Sequence, residues 1–130
     1  PDPSDADITA SAAIRLDDFI CGALIIGNVF QRCGYGLFGA IQIHGGKENV
    51  IDRNIFVECP SCVSFTMYSP ERWAESMKQH FFAIPEELIR RYPTLARLED
   101  DVGVNWITRN LLLDVEAPIL RRKPSLRVAL

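Results

Sequence analysis

Histidine occurs only twice and cysteine only four times in the 130 residues, and this scarcity limits the metal chemistry the chain can carry. Cys59-x2-Cys62 has no second pair and no histidine at ligand spacing, so a zinc site is not expected. Basic clusters are equally rare. With a net charge of −3 and one short cationic run, Arg121-Arg122-Lys123, the chain lacks the footprint of a nucleic-acid or anionic-membrane surface. That run reads as a solvated tail. The most apolar window, FICGALIIGNVF at 19–30, falls short of the roughly 20 residues a bilayer requires and is broken by two glycines and an asparagine. It belongs to a core. The opening PDPSDADITASAA has neither the basic nor the apolar segment of an export signal, although the abrupt start leaves room for one removed upstream. No phosphate-binding glycine pattern surrounds Gly45-Gly46, which therefore read as bend geometry.

What the chain does have is a repeat. ALIIGNVFQRC at 23–33 returns as NVIDRNIFVEC at 49–59, an offset of 26 that aligns Ile25 with Ile51, Asn28 with Asn54, Phe30 with Phe56 and Cys33 with Cys59. A third copy, NWITRNLLLDV at 105–115, lies 56 beyond the second and repeats Asn49, Ile51, Arg53 and Asn54 as Asn105, Ile107, Arg109 and Asn110. Each copy holds short β-branched and aromatic runs bounded by Gly, Asn or Asp, the pattern of strands. One copy alone would expose its edges and apolar faces, so the copies must stack. The expected fold is all-β, a single-stranded parallel β-helix of about four rungs.

Stacking makes register predictions. Asn tolerates left-handed backbone angles, so Asn28, Asn54 and Asn110 should sit at one bend and form an amide ladder. Ile25, Ile51 and Ile107 should form an interior column, and Phe30, Phe56 and Leu112 a second. Companion strands appear as AIRL at 13–16, AIQI at 40–43 and CVSF at 62–65, with PILR at 118–121 as a fraying fourth. Alternation turns Ile14, Leu16, Ile41, Ile43, Val63 and Phe65 inward, and Arg15, Gln42 and Ser64 outward. The same parity stacks Asp17, His44 and Thr66 on the outside. Cys33 and Cys59 fall in one column with Val115, as small hydrophobes with free thiols. Between copies two and three, residues 69–101 read as a helical insertion: Ser69 caps a helix carrying Trp73, Met77 and Phe81 on one face, and Pro85 opens a second helix that Pro93 ends or re-aims. The resulting order is a lead-in at 1–12, rungs at 13–68, the insertion, a final rung at 102–120 and a tail at 121–130.

An outward face of this kind suits an extended polymer. Arg15, Asp17, Gln42, His44, Lys47 and Ser64 would offer an acid, an imidazole, cations and neutral hydrogen-bonding groups, a set matched to sugar hydroxyls and acid–base work. His44 should touch Asp17 and favour its ionised form, with Asp18 at the turn beside them. Each feature also has a plainer reading, since Asp-Asp at a strand end is ordinary turn chemistry and His44 could simply cap a strand. Calcium at Asp17 and Asp18 is an alternative with too few further oxygen ligands evident; no other cofactor is expected.

Together, IRLDDF, GNVFQRCG, IQIHGGKENVIDRNIFVEC, RYPTLARLEDD and RNLLL resemble the right-handed parallel β-helix, pectin-lyase-like proteins of bacteria over about residues 13–120. The resemblance implies a secreted or periplasmic carbohydrate-active protein acting on a polysaccharide or oligosaccharide, with Asp17, Asp18 and His44 matching the acidic pair and HGG segment as the catalytic set. It implies a glycoside hydrolase first, a polysaccharide lyase second, and a non-catalytic glycan-binding or adhesin-like module from a different class. Members of that group usually have more rungs, so the chain is expected to be part of a longer coil. Its open ends would favour self-association.

Overall fold

The computed structural model describes residues 10–80, 84–98, 100 and 103–120. The chain divides into two compact units, one built from the strands on either side of Tyr68–Val102 and the other from that segment itself.

In the first unit, each pass of the chain lays one strand in each of three parallel sheets. The first pass contributes β2 (Ile14–Leu16), β3 (Leu24–Ile26) and β4 (Val29–Gln31); β1 (Ala10–Ser11) and β5 (Tyr35–Gly36) form a small antiparallel pair. The second contributes β6 (Ile41–His44), β7 (Val50–Asp52) and β8 (Ile55–Val57). The third contributes β9 (Ser61–Thr66), β10 (Trp106–Thr108) and β11 (Leu111–Leu113), and β12 (Ala117–Leu120) follows. The sheets run β12-β9-β6-β2, β10-β7-β3 and β11-β8-β4, every neighbour parallel. The molecule is thus predominantly β with parallel sheets, an arrangement compatible with a β-helix.

The register is the one the repeat dictates. Ile25, Ile51 and Ile107 are partners across three strands, as are Phe30, Phe56 and Leu112. Identical apolar groups placed one strand apart pack with their own kind: the rings of Phe30 and Phe56 stack at 5.0 Å and 13°. Ile41, Ile43, Ile51, Phe56 and Val63 are fully buried, each contributing about 1.5–3 kcal/mol. The second column ends at Leu112, which is exposed beside an apolar cavity of about 170 Å³ lined also by Phe56, Ile107 and Ile119. Cys33, Cys59 and Val115 join the same core, and all four cysteines are free. Burial pushes the Cys62 thiol up to about 12, so it stays protonated as a small hydrophobe.

The asparagine ladder is present. Asn28 Nδ2 donates to Asn54 Oδ1 at 3.0 Å, and Asn54 Nδ2 donates to Asn110 Oδ1 at 3.1 Å. The backbone N–H groups of Asn28 and Asn54 donate to the same oxygens. The left-handed angle, however, does not fall on the asparagines. It falls one residue earlier, on Gly27, Arg53 and Arg109, with φ of 71°, 52° and 52°. The asparagines hold the copies together through their N–H groups, and the sharp turn falls on the residue before each of them. A second ladder joins Asn49 Nδ2 to Asn105 Oδ1 at 2.9 Å, with Ala23 N–H donating to Asn49 Oδ1 above it.

In the second unit, α1 (Pro70–His80) begins where the Ser69 hydroxyl accepts the Arg72 N–H at 3.3 Å, an N-cap with proline in the first turn. Trp73 and Met77 are buried and Trp73 Nε1 donates to the Leu98 carbonyl, while Phe81 lies outside the described residues. Pro85 precedes α2 (Glu86–Arg91), and a 3-10 turn at Pro93–Arg97 follows.

Candidate functional site

β2 and β6 pair with Ile14 opposite Ile41 and Leu16 opposite Ile43, which sets Asp17 beside His44 where β2 ends. Beyond that point two consecutive residues take positive φ, Asp18 at 38° and Phe19 at 64°. Aspartate tolerates this region; a phenylalanine there is unusual and is held by its N–H donating to the His44 carbonyl at 3.3 Å. The following loop is pressed onto Gly46, where a Cβ would stand 2.2 Å from the Ile20 carbonyl oxygen. Gly45 and Gly46, both at positive φ, therefore supply bend geometry and close approach, as the sequence implies.

His44 Nδ1 lies 2.7 Å from Asp17 Oδ1 and 3.2 Å from Asp18 Oδ1. One imidazole nitrogen thus addresses two carboxylates. Arg15 Nη2 donates to Asp17 Oδ1 at 3.0 Å and its guanidinium lies 5.5 Å from the centre of the Phe38 ring. The Asp18 N–H also points at Asp17 Oδ1, at 3.2 Å. The hydrogen bond from His44, followed by that from Arg15, holds the Asp17 carboxyl below its ordinary range. Asp17, Asp18 and His44 each present a ligand atom within 4.8 Å of the others. Three donors fall well short of the six to eight oxygens calcium takes, and one of the three is nitrogen.

Of the residues expected to meet substrate, only Arg15 is at the surface. Gln42 and Ser64 are register partners, and both are buried. The Ser64 hydroxyl donates to Gln42 Oε1 and accepts the Gly39 N–H; Gln42 Nε2 donates to the Thr66 hydroxyl at 3.1 Å. Their polar groups are used up within the protein. Lys47 is only 2 % exposed and lies 4.0 Å from Glu48. An outside ligand would meet Arg15, Asp17, Asp18 and His44.

A second polar cluster escaped the sequence reading. Asp52 is buried and receives a two-pronged bond from Arg109, Nε to Oδ1 at 2.9 Å and Nη2 to Oδ2 at 2.6 Å, with the Thr108 hydroxyl donating to Oδ1 at 2.9 Å. Arg109 holds the Asp52 carboxyl below its ordinary range, and Asp52 in turn raises Arg109. The offset that pairs Asp52 with Thr108 was the available signal, since it places Arg109 within reach of the strand above. This fork is satisfied on every side and reads as structural.

Comparison of the chain with protein-family models, with curated proteins and with solved structures finds no match.

Proposed function

We propose that the chain is a right-handed parallel β-helix of about four rungs whose outward cluster of Asp17, Asp18 and His44 hydrolyses glycosidic bonds in a polysaccharide. The observation that carries this reading is the single His44 nitrogen within hydrogen-bond reach of two carboxylates at a parallel strand end. Asp17 is the ionised partner, because His44 and Arg15 both favour its charged form. With Asp17 held ionised, the acid role toward the leaving oxygen falls to Asp18.

The spacing of the pair favours one chemistry. Carboxylates that work with a water between them stand ~6.5–9.5 Å apart, whereas a nucleophile and an acid stand ~5 Å apart. One oxygen of each carboxyl lies within 4.8 Å of the other, short of the gap that an intervening water needs. His44, Arg15 and the Asp18 N–H all converge on Asp17 Oδ1, so Oδ2 is the oxygen that attacks the anomeric carbon while Asp18 gives its proton to the departing hydroxyl. Asp18, now ionised, takes a proton from water, and the hydroxide releases the sugar from Asp17. His44 positions both carboxylates.

The test is incubation of the chain with a panel of neutral and uronic polysaccharides, scoring new reducing ends and ultraviolet-absorbing products. Expected are reducing ends without ultraviolet absorbance, lowered about 10³-fold or more by Asp17→Ala or Asp18→Ala. An ultraviolet-absorbing product would replace the hydrolase with a lyase. Glycan binding without turnover, weakened by Asp17→Ala, would replace it with a binding module.

A further inference from the structure

The outer face of the β4, β8 and β11 sheet is largely apolar, with Gln31 its exposed polar member. Val29 is 66 % exposed, Leu111 53 %, and Leu113 is exposed in the neighbouring row. Across the Asn ladder the β3, β7 and β10 sheet continues the patch with Leu24, 68 % exposed, and with Ile26 and Trp106. Such a group of exposed large apolar side chains on two adjoining sheets is more than the single scattered residues of an ordinary surface.

We infer that a second copy of this chain docks on the β4, β8 and β11 face, forming a two-fold dimer whose axis runs along the direction in which the strands stack. The charges at the borders of the face select both the occupant and the axis. Arg53 and Arg109 stand exposed at the bend before β8 and β11; Glu58 and Asp114 stand exposed at the bend after them. A two-fold axis along the stack reverses the strand direction of the partner and keeps its levels. Arg53 then faces Glu58 of the second copy on both borders at once, while Arg109 stays forked onto Asp52 of its own chain. An axis along the strands would instead set Arg53 against Arg53 and Glu58 against Glu58. Like charges directly opposed are repulsive, so the face is self-complementary in one arrangement only. Glu58 already holds Arg32 at 3.0 Å, and the incoming arginine completes an arginine–glutamate–arginine cluster at the rim. The two sheets pack face to face at ~10 Å, the usual separation of aligned sheets, with valine and leucine rows interdigitating.

Sedimentation velocity across a concentration series tests the assignment, with circular dichroism to confirm that each variant is folded. The expected result is a mass that plateaus at twice that of the chain, with Arg53→Glu and Glu58→Arg each raising the dissociation constant about tenfold or more. The double variant Arg53→Glu/Glu58→Arg restores most of the affinity, because the reversed pair still meets across the axis. Val29→Lys, on the face itself, abolishes the dimer and serves if either charge reversal fails to fold. A monomer at every soluble concentration overturns the inference, as does a dimer indifferent to both reversals. A mass that grows without plateau also overturns it, since that is the behaviour of open strand ends pairing head to tail.

Discussion

Asn54 is the residue on which most depends for its size. Its Oδ1 accepts both N–H groups of Asn28, and its Nδ2 donates to the Ile25 carbonyl at 2.8 Å and to Asn110. It is buried, so truncation leaves several groups without water to replace it. Asn54→Ala is expected to cost about 3 kcal/mol, since each stranded buried group costs ~1–3 kcal/mol. Asn28→Ala, at an exposed position, should cost about 1 kcal/mol, and urea unfolding of the two variants measures the difference. Charge at single residues gives a second expectation. Asp17 and Asp52 both have native-state values below the ordinary 3.8, because His44 and Arg109 favour their ionised forms. Their contribution is complete above pH 3.8 and is lost as pH falls through the lower native values, where the unfolded chain already binds the protons. Asp52→Asn should therefore flatten the acid limb of stability below pH 3.8, with little change in slope at higher pH. Urea midpoints over that range read it directly.

At the level of strands and bends, the two kinds of glycine should separate cleanly. Gly27 has φ of +71° and nothing within 4 Å of an added Cβ, so Gly27→Ala costs only the left-handed backbone, about 1 kcal/mol. Gly46 combines φ of +62° with a Cβ position 2.2 Å from the Ile20 carbonyl, which also accepts Asn49 Nδ2. Gly46→Ala must move the Asp17–Gly22 loop, costing about 3 kcal/mol and breaking the alignment of Asp17 with His44. Equal losses for the two variants would refute the close approach. The strand registers were legible because a one-residue slip would send Ile51 and Phe56 to the solvent face, and the offset identities leave no second alignment. The contact of His44 with Asp17 followed from the same parity. The burial of Gln42, Ser64 and Lys47 did not, since alternation assigns a side chain to one side of its strand and is silent on what lies over it. The left-handed residue was misplaced by one position because Asn suits either role, and only the hydrogen bonds between copies decide which it takes.

At the scale of the whole molecule, the repeat and the insertion make separable demands. In the second pass, five residues, 45–49, connect β6 to β7; in the third, the path from β9 to β10 runs from Thr66 to Trp106 and includes Tyr68–Val102 as a compact unit of its own. The two ends of that excursion are close, because a Cβ on Gly103 would lie 2.7 Å from the Met67 methyl carbon. Joining Met67 to Gly103 through one added glycine rebuilds a five-residue connection of the same length as 45–49. Asn105 is already fixed by its bonds to Asn49 and to the Gly103 carbonyl, so the shortened loop has a defined landing point. Loop closure also becomes cheaper as the connection shortens. The deletion variant is therefore expected to keep the β-type circular dichroism and a single cooperative urea transition. Loss of that transition would mean that β9 and β10 are held in register by the inserted unit and not by the stacking of like residues on which the fold has been explained.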